Sequence, residues 1–320
     1  MSGSQPPETP SSFADGVRLA IGTLSVFPVR PGIVDRRAGG IAMAVAPMVG
    51  AAIGICGGLV LAVAMWLGTT PLLASVLAVA TVALLTRGLH LDGLADLADG
   101  LGSGRPAERA LEIMKRSDIG PFGVVTLLFT VLAQVAALAE LTATGAGPIA
   151  MVTACTAGRL ALTWACRTGV PAARADGLGR MVAGTVRRGV AAIVTALVLA
   201  LTALLALPDR DTVFGPWLSD SFVRSLLLGW LEDGYRMTRE IAVSSAAEAP
   251  GPVSTMLLPW TGVPQAVWGL PAAVLAGLLA AWMVRRRAVR RLGGVTGDVL
   301  GAVVEIATAM TLLACAVLVG

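Results

Sequence analysis

Seven apolar stretches decide what this chain can become. They run roughly over residues 41–66, 71–86, 120–142, 148–166, 189–207, 267–284 and 300–319, and most are long enough to cross a hydrocarbon layer as a helix. A chain that is 56% hydrophobic and only 14% charged over 320 residues is not an ordinary soluble protein. The expected fold is therefore all-α: a polytopic integral membrane helix bundle with about seven transmembrane helices. The second stretch is short and the first contains Pro47, so six or eight spans are the neighbouring counts. Residues 13–29, apolar but carrying Asp15 and Arg18, read as an interfacial or re-entrant helix. Residues 1–12 are polar and Pro-rich, which reads as a disordered tail and not as a cleavable signal peptide.

The arginines and lysines orient the bundle. The connections 28–40, 87–119, 167–188 and 285–299 hold eighteen of them, whereas 67–70 and 143–147 hold none and the long 208–266 segment holds four. The positive-inside rule then predicts a cytoplasmic N-terminus and an external C-terminus. It also makes 208–266 an extra external insertion, with an amphipathic helix expected near Ser221–Leu231. Every polar segment with motif-like character falls on the cytoplasmic side. Two glycine ladders, Gly50-Gly54-Gly58 and Gly293-Gly297-Gly301, allow close helix approach in lipid.

Chemistry concentrates first in Leu89–Gly100, LHLDGLADLADG. Asp92, Asp96 and Asp99 are spaced i, i+4, i+7 and fall within about 60° of one helix face, with no Lys or Arg among them. Three stacked carboxylates repel unless a cation separates them, and a hard ion such as Mg²⁺ takes oxygen ligands together with a substrate phosphate. The bland alternative is a solvated helix end, although such helices usually interleave basic residues. Next comes ERALEIMKRSDIG at 108–120, where Lys115 and Arg116 could neutralise phosphate oxygens. A helical ion pair between Glu112 and Arg116 is the competing use. Arg159 and Glu305 lie within apolar spans, where charges are costly and mark candidate sites; they could also simply pair with each other. Asp298 shares a helix face with Glu305. His90, the one histidine, borders the aspartates and could act as a general base, orient a hydroxyl, or be structural. Cys56, Cys155, Cys166 and Cys315 lack metal-site spacing and read as buried hydrophobes.

At these residues the chain resembles the cobalamin synthase family, the adenosylcobinamide-GDP ribazoletransferases. The matching blocks are TRGLHLDGLADLADG (86–100), ERALEIMKRSDIGPFG (108–123) and GGVTGDVLGAVVE (293–305), with FPV (27–29), RRAGGI (36–41), PMVGAAIG (47–54) and DGLG (176–179) in family order. The departure is 209–266, where the family has a short connection.

The resemblance implies a Mg²⁺-dependent phosphotransferase that joins adenosylcobinamide-GDP to α-ribazole or its 5′-phosphate. The products would be adenosylcobalamin, or its phosphate, and GMP, which is the lower-ligand attachment step of cobalamin biosynthesis. Residues 13–320 would then form a single membrane-embedded catalytic domain in a bacterial cytoplasmic (inner) membrane. Asp92, Asp96 and Asp99 would hold Mg²⁺; Lys115, Arg116 and Arg159 would bind substrate phosphate. Asp298, Glu305 and His90 would be the catalytic residues, with Asp298 or Glu305 completing the metal shell or taking the proton from the ribazole 3′-hydroxyl. The expected partners are the two substrates and the bilayer, with room for a homo-oligomer and no nucleic acid. Two other readings are a CDP-alcohol phosphotransferase and a secondary transporter. The first needs DG-x2-AR followed by G-x3-D-x3-D, which is absent here, and the second predicts internal repeats that the chain does not display.

Overall fold

The computed structural model describes residues 10–30, 32–116, 118–206 and 265–319. Among them lie eleven α-helices and no strand beyond two isolated bridges. They are α1 (Phe13–Leu24), α2 (Arg36–Trp66), α3 (Pro71–Leu85), α4 (Leu89–Gly102), α5 (Ala107–Ile113), α6 (Pro121–Ala143), α7 (Gly147–Ala165), α8 (Gly177–Val182), α9 (Arg188–Leu205), α10 (Gln265–Leu292) and α11 (Gly297–Leu318). The insertion expected at 208–266, with its amphipathic helix, and residues 1–9 of the expected tail lie outside the described residues, apart from Gln265 and Ala266 at the start of α10.

Each apolar stretch forms a helix. Five of them, α2, α6, α9, α10 and α11, are long and apolar enough to cross a membrane, and α3 with α4 would make a sixth as one bent span. Of the expected seven, α7 falls outside that set. Its position explains why: α7 packs against α2, α6, α9, α10 and α11, and nearly all of its residues are buried. A helix sheathed by other helices faces protein and not lipid, so it tolerates Arg159 and its threonines. The outer helices instead expose large apolar side chains, among them Leu59, Leu77, Phe129, Leu197 and Leu279. An apolar surface on that scale suits a bilayer.

Glycine sets how closely the central helices meet. A Cβ on Gly50 would lie 2.4 Å from the Cys155 carbonyl oxygen, and one on Gly54 would lie 2.7 Å from the Val152 Cα. The first glycine ladder is thus the seam along which α2 presses on α7. The second ladder has a separate use at Gly301, described below.

Two local devices shape the end of the bundle that carries the motifs. Arg87 and Gly88 adopt successive positive φ angles of 55° and 66°. That conformation is uncommon for arginine, and here the Arg87 Nη2 donates to the Gly22 carbonyl at 3.1 Å. The pair turns the chain through 88° between α3 and α4. At the N-terminus, residues 10–12 are not a loose tail. The buried Ser11 hydroxyl donates to Asp35 at 2.7 Å, and Ser12 caps α1 in a reciprocal capping box with Asp15. The Ala38 N–H, with help from Ser11, holds the Asp35 carboxyl below the ordinary carboxylate range.

The seam yields a direct expectation. Gly50→Leu should destabilise the folded protein in detergent by about 1–3 kcal/mol through overpacking. Gly189→Ala, where an added Cβ meets nothing within 4 Å, should leave the denaturation midpoint unchanged or slightly raised.

Candidate active site

The bent junction before α4, the N-terminus of α11 and the 166–187 connection meet at one end of the bundle. They enclose a cleft of about 330 Å³, lined by His90, Asp92, Lys115, Arg174, Asp176 and Asp298 together with the backbone of Gly177–Gly179 and Val295–Gly297. Its walls are held by backbone contacts. Ala173 N–H donates to the Val295 carbonyl at 3.0 Å and Val295 N–H to the Pro171 carbonyl at 2.9 Å, so the loop before α8 is tied to the turn before α11. Gly294 permits this, because a Cβ there would lie 2.4 Å from the Ala172 carbonyl carbon. Arg36, at the start of α2, donates to the carbonyls of Arg180 and Ala183 and anchors the far side of α8.

The crossing of α4 on α11 sets the carboxylates. A Cβ on Gly93 would lie 2.8 Å from the Asp298 carbonyl oxygen, and one on Gly301 would lie 3.1 Å from the His90 carbonyl oxygen. The two backbones therefore touch where Asp92 and Asp298 enter the cleft. Asp92 is exposed and Asp96 half-buried. The charges of Asp92, Asp298 and Asp99 all act on Asp96. Arg174 Nη1 stands 3.6 Å from Asp298 Oδ2, and Arg174 Nη2 donates to the Leu111 carbonyl at 2.8 Å. Thr296 caps α11 and its hydroxyl also donates to Asp298 at 3.2 Å.

Asp99 has a different task from the one its spacing suggests. It is buried, and its two oxygens accept from the Gly120 and Gly123 backbone N–H groups at 2.7 and 3.0 Å. It caps the N-terminus of α6, where a carboxylate satisfies orphan donors and complements the helix dipole. The carboxylates that line the cleft are Asp92, Asp176 and Asp298, with Asp96 next to it, near enough to feel the charges of Asp92 and Asp298. Among the described residues no three His, Cys, Asp or Glu side chains form a complete metal cage. A magnesium site does not require one, since this ion is usually held by one or two carboxylates plus substrate phosphate and water. Asp92 and Asp298, both at the cleft wall, are a donor set that fits such an ion.

The remaining predicted residues divide between cleft and interior. Lys115 lines the cleft, and Arg116 follows it, exposed, past the end of α5. The Glu112–Arg116 ion pair does not form; Glu112 pairs with Arg109 instead. Arg159 does not reach the cleft. It is 1% exposed on α7, with Nη2 3.5 Å from His90 Nδ1 and Nε without a hydrogen-bond partner. Glu305 is also inside the bundle, where its carboxylate accepts from Gln134 Nε2 at 2.9 Å. Among the described residues Arg159 and Glu305 make no direct ion pair, although the arginine's charge acts on the glutamate. With His90 and Gln134 they form a polar layer behind the cleft. Arg174 was not anticipated. The signal that could have found it is its place two residues before the DGLG segment, in an arginine-rich connection.

With this geometry in view, comparison with known proteins is decisive. The model of the family described as cobalamin-5-phosphate synthase matches residues 16–316. This chain belongs to that family. Proteins named adenosylcobinamide-GDP ribazoletransferase are similar along almost the whole chain. One from Frankia casuarinae is 38% identical over 308 residues, 93% of either chain. One from Corynebacterium efficiens is 32% identical, covering 96% of this chain and 93% of its own. One from Nocardioides sp. is 33% identical, covering 94% and 98%. No solved structure matches.

The cap at α6 is testable apart from catalysis. Asp99→Ala should lower stability by about 1–3 kcal/mol by leaving two N–H groups unsatisfied. Asp92→Ala, at an exposed position, should leave the denaturation midpoint within about 0.5 kcal/mol of wild type.

Proposed function

We propose that this protein joins adenosylcobinamide-GDP to α-ribazole, or to its 5′-phosphate, with release of GMP, completing the lower-ligand attachment of cobalamin. Family membership and the names carried by its relatives support the reaction. The observation that carries the mechanism is the convergence of Asp92, Asp298, Arg174 and Lys115 on one cleft beside a bent helix junction.

In the step we propose, the ribazole 3′-hydroxyl oxygen attacks the phosphorus that bears the cobinamide oxygen. A new O–P bond forms and the bond from that phosphorus to the bridging oxygen breaks. GMP leaves with that oxygen and its electron pair. Catalysis of this kind rests on position and on charge stabilisation around the phosphoryl oxygens. Lys115, Arg116 and Arg174 would neutralise those oxygens, Arg174 being held in place by Leu111 and Asp298. Asp92 and Asp298, with Asp96 beside them, would hold magnesium, and the chemistry it would supply when bound is charge withdrawal from the diphosphate.

His90 suits a donor role better than that of a base. Arginine can only donate, so a hydrogen bond from Arg159 to Nδ1 leaves the imidazole proton on Nε2. Nε2 is enclosed and has no hydrogen-bond partner, and in this reading its N–H would donate to a substrate oxygen brought against it. The proton of the 3′-hydroxyl would pass to Asp96, the neighbouring carboxylate that the metal leaves free. Glu305 and Arg159 act from behind as positioning residues. In this reading the arginine-rich cleft end faces the cytoplasm of a bacterial inner membrane, where nucleotide substrates are found.

Purified protein given adenosylcobinamide-GDP, α-ribazole and Mg²⁺ should form adenosylcobalamin and GMP in detergent without any membrane gradient. Chelation should stop the reaction. Asp92→Asn and Asp298→Asn should each lower kcat by about 10²–10⁴-fold, with melting midpoints close to wild type. Wild-type rates in both variants would overturn the assignment of the carboxylates, and the absence of product from folded wild type would overturn the reaction.

A further inference from the structure

A second cavity lies across α7 and α11 from the cleft and shares no lining residue with it. On α7, Leu162 faces the cleft whereas Ala161 and Ala165 face this cavity; on α11, Gly301 faces the cleft and Val303 the cavity. The space, about 540 Å³, is formed by α7, α9, α10 and α11 at the arginine-rich end of the bundle.

Its lining has two characters. Arg167, Arg188 and Arg285 stand at one side, and Leu275, Leu279 and Trp282 at another. Arg285 is only 8% exposed, and Arg167 is near enough for the two positive charges to act on each other. Among the described residues none of the three makes an ion pair. A buried, unpaired cation beside a second cation is costly and calls for an anion. Leu275, Leu279 and Trp282 are at the same time exposed on the outer, lipid-facing flank of α10, so the cavity opens sideways into the apolar belt. The polar groups on its inner wall are already satisfied, since the Trp164 indole N–H donates to the Thr195 hydroxyl at 2.8 Å.

We propose that this cavity binds one anionic phospholipid, with its phosphodiester on Arg167, Arg188 and Arg285 and its acyl chains along Leu275, Leu279 and Trp282. Guanidinium groups match phosphate oxygens in geometry as well as charge, and the sideways apolar opening selects a lipid over a free phosphate. A bound lipid would tie the end of α7, the start of α9 and α10 together beside the catalytic end.

The test uses the full-length protein, delipidated in detergent and then given phosphatidylglycerol, phosphatidylcholine or inorganic phosphate. Phosphatidylglycerol should raise the melting midpoint more than the other two, and native mass spectrometry should retain one such lipid per chain. Arg285→Met, which keeps the bulk and removes the charge, should abolish both the specific rise and the retained lipid while melting no lower than wild type in phosphatidylcholine. Arg167→Gln and Arg188→Gln, at less buried positions, should each weaken the rise. Arg286→Met, whose guanidinium lies 5.1 Å from the Trp282 ring and does not line the cavity, should keep it. An equal rise with phosphatidylcholine or inorganic phosphate, or an undiminished rise in Arg285→Met, would overturn the proposal.

Discussion

The contact on which the catalytic end depends is the backbone crossing of α4 and α11 at Gly93 and Gly301. A Cβ on Gly93 would press on the Asp298 backbone at 2.8 Å and force the helices apart, and one on Gly301 would be tight against His90 at 3.1 Å. That approach brings Asp92 beside Asp298, and the turn before α11 in turn carries the strand-like tie to Pro171–Ala173. The loop bearing Arg174 is thereby fixed relative to the carboxylates. The cleft has little freedom to rearrange, because its donors sit on helix ends and short ties, not on long loops. Preorganised charge of this kind is what a phosphoryl transfer requires.

Behind that crossing, α7 solves an electrostatic problem that a membrane chain ordinarily avoids. Arg159 is almost wholly enclosed, yet its neighbours are polar: His90 on α4, and Glu305 on α11, itself held by Gln134 on α6. One helix thus links the interior of the bundle to the cleft through His90. The layer is incompletely satisfied, since His90 Nε2 and Arg159 Nε lack partners. Unsatisfied buried donors are expensive, and of the two only His90 Nε2 belongs to a residue that lines the cleft.

Helices, and which of their ends carry chemistry, were legible in the sequence because hydropathy and arginine placement report on lipid directly. The regular geometry of a helix face was enough to place Asp92 and Asp96 together. It could not separate Asp99 from them, because the decisive fact is that α6 begins beside Asp99, 21 residues along the chain at Gly120. Hydropathy counted α7 among the spans, although it falls outside the set long and apolar enough to cross a membrane, and could not reveal its enclosure, which depends on neighbours. Glu305 was rightly marked as unusual, yet its position on a face shared with Asp298 did not bring it to the cleft, because seven residues of helix separate the two by about 10 Å. Arg174 escaped notice because its value comes from Leu111 and Asp298, which are remote in sequence.

The size of the cleft limits which part of the proposed substrates it could hold. A volume of about 330 Å³ is at the low end for a small-molecule pocket and cannot enclose a corrin macrocycle with its side chains. In the proposed reaction the cleft would hold the region around the diphosphate and the incoming ribose, and the macrocycle would stay outside it. Recognition would then fall on the linkage being exchanged, with the bulk of the corrinoid handled as cargo held at a doorway.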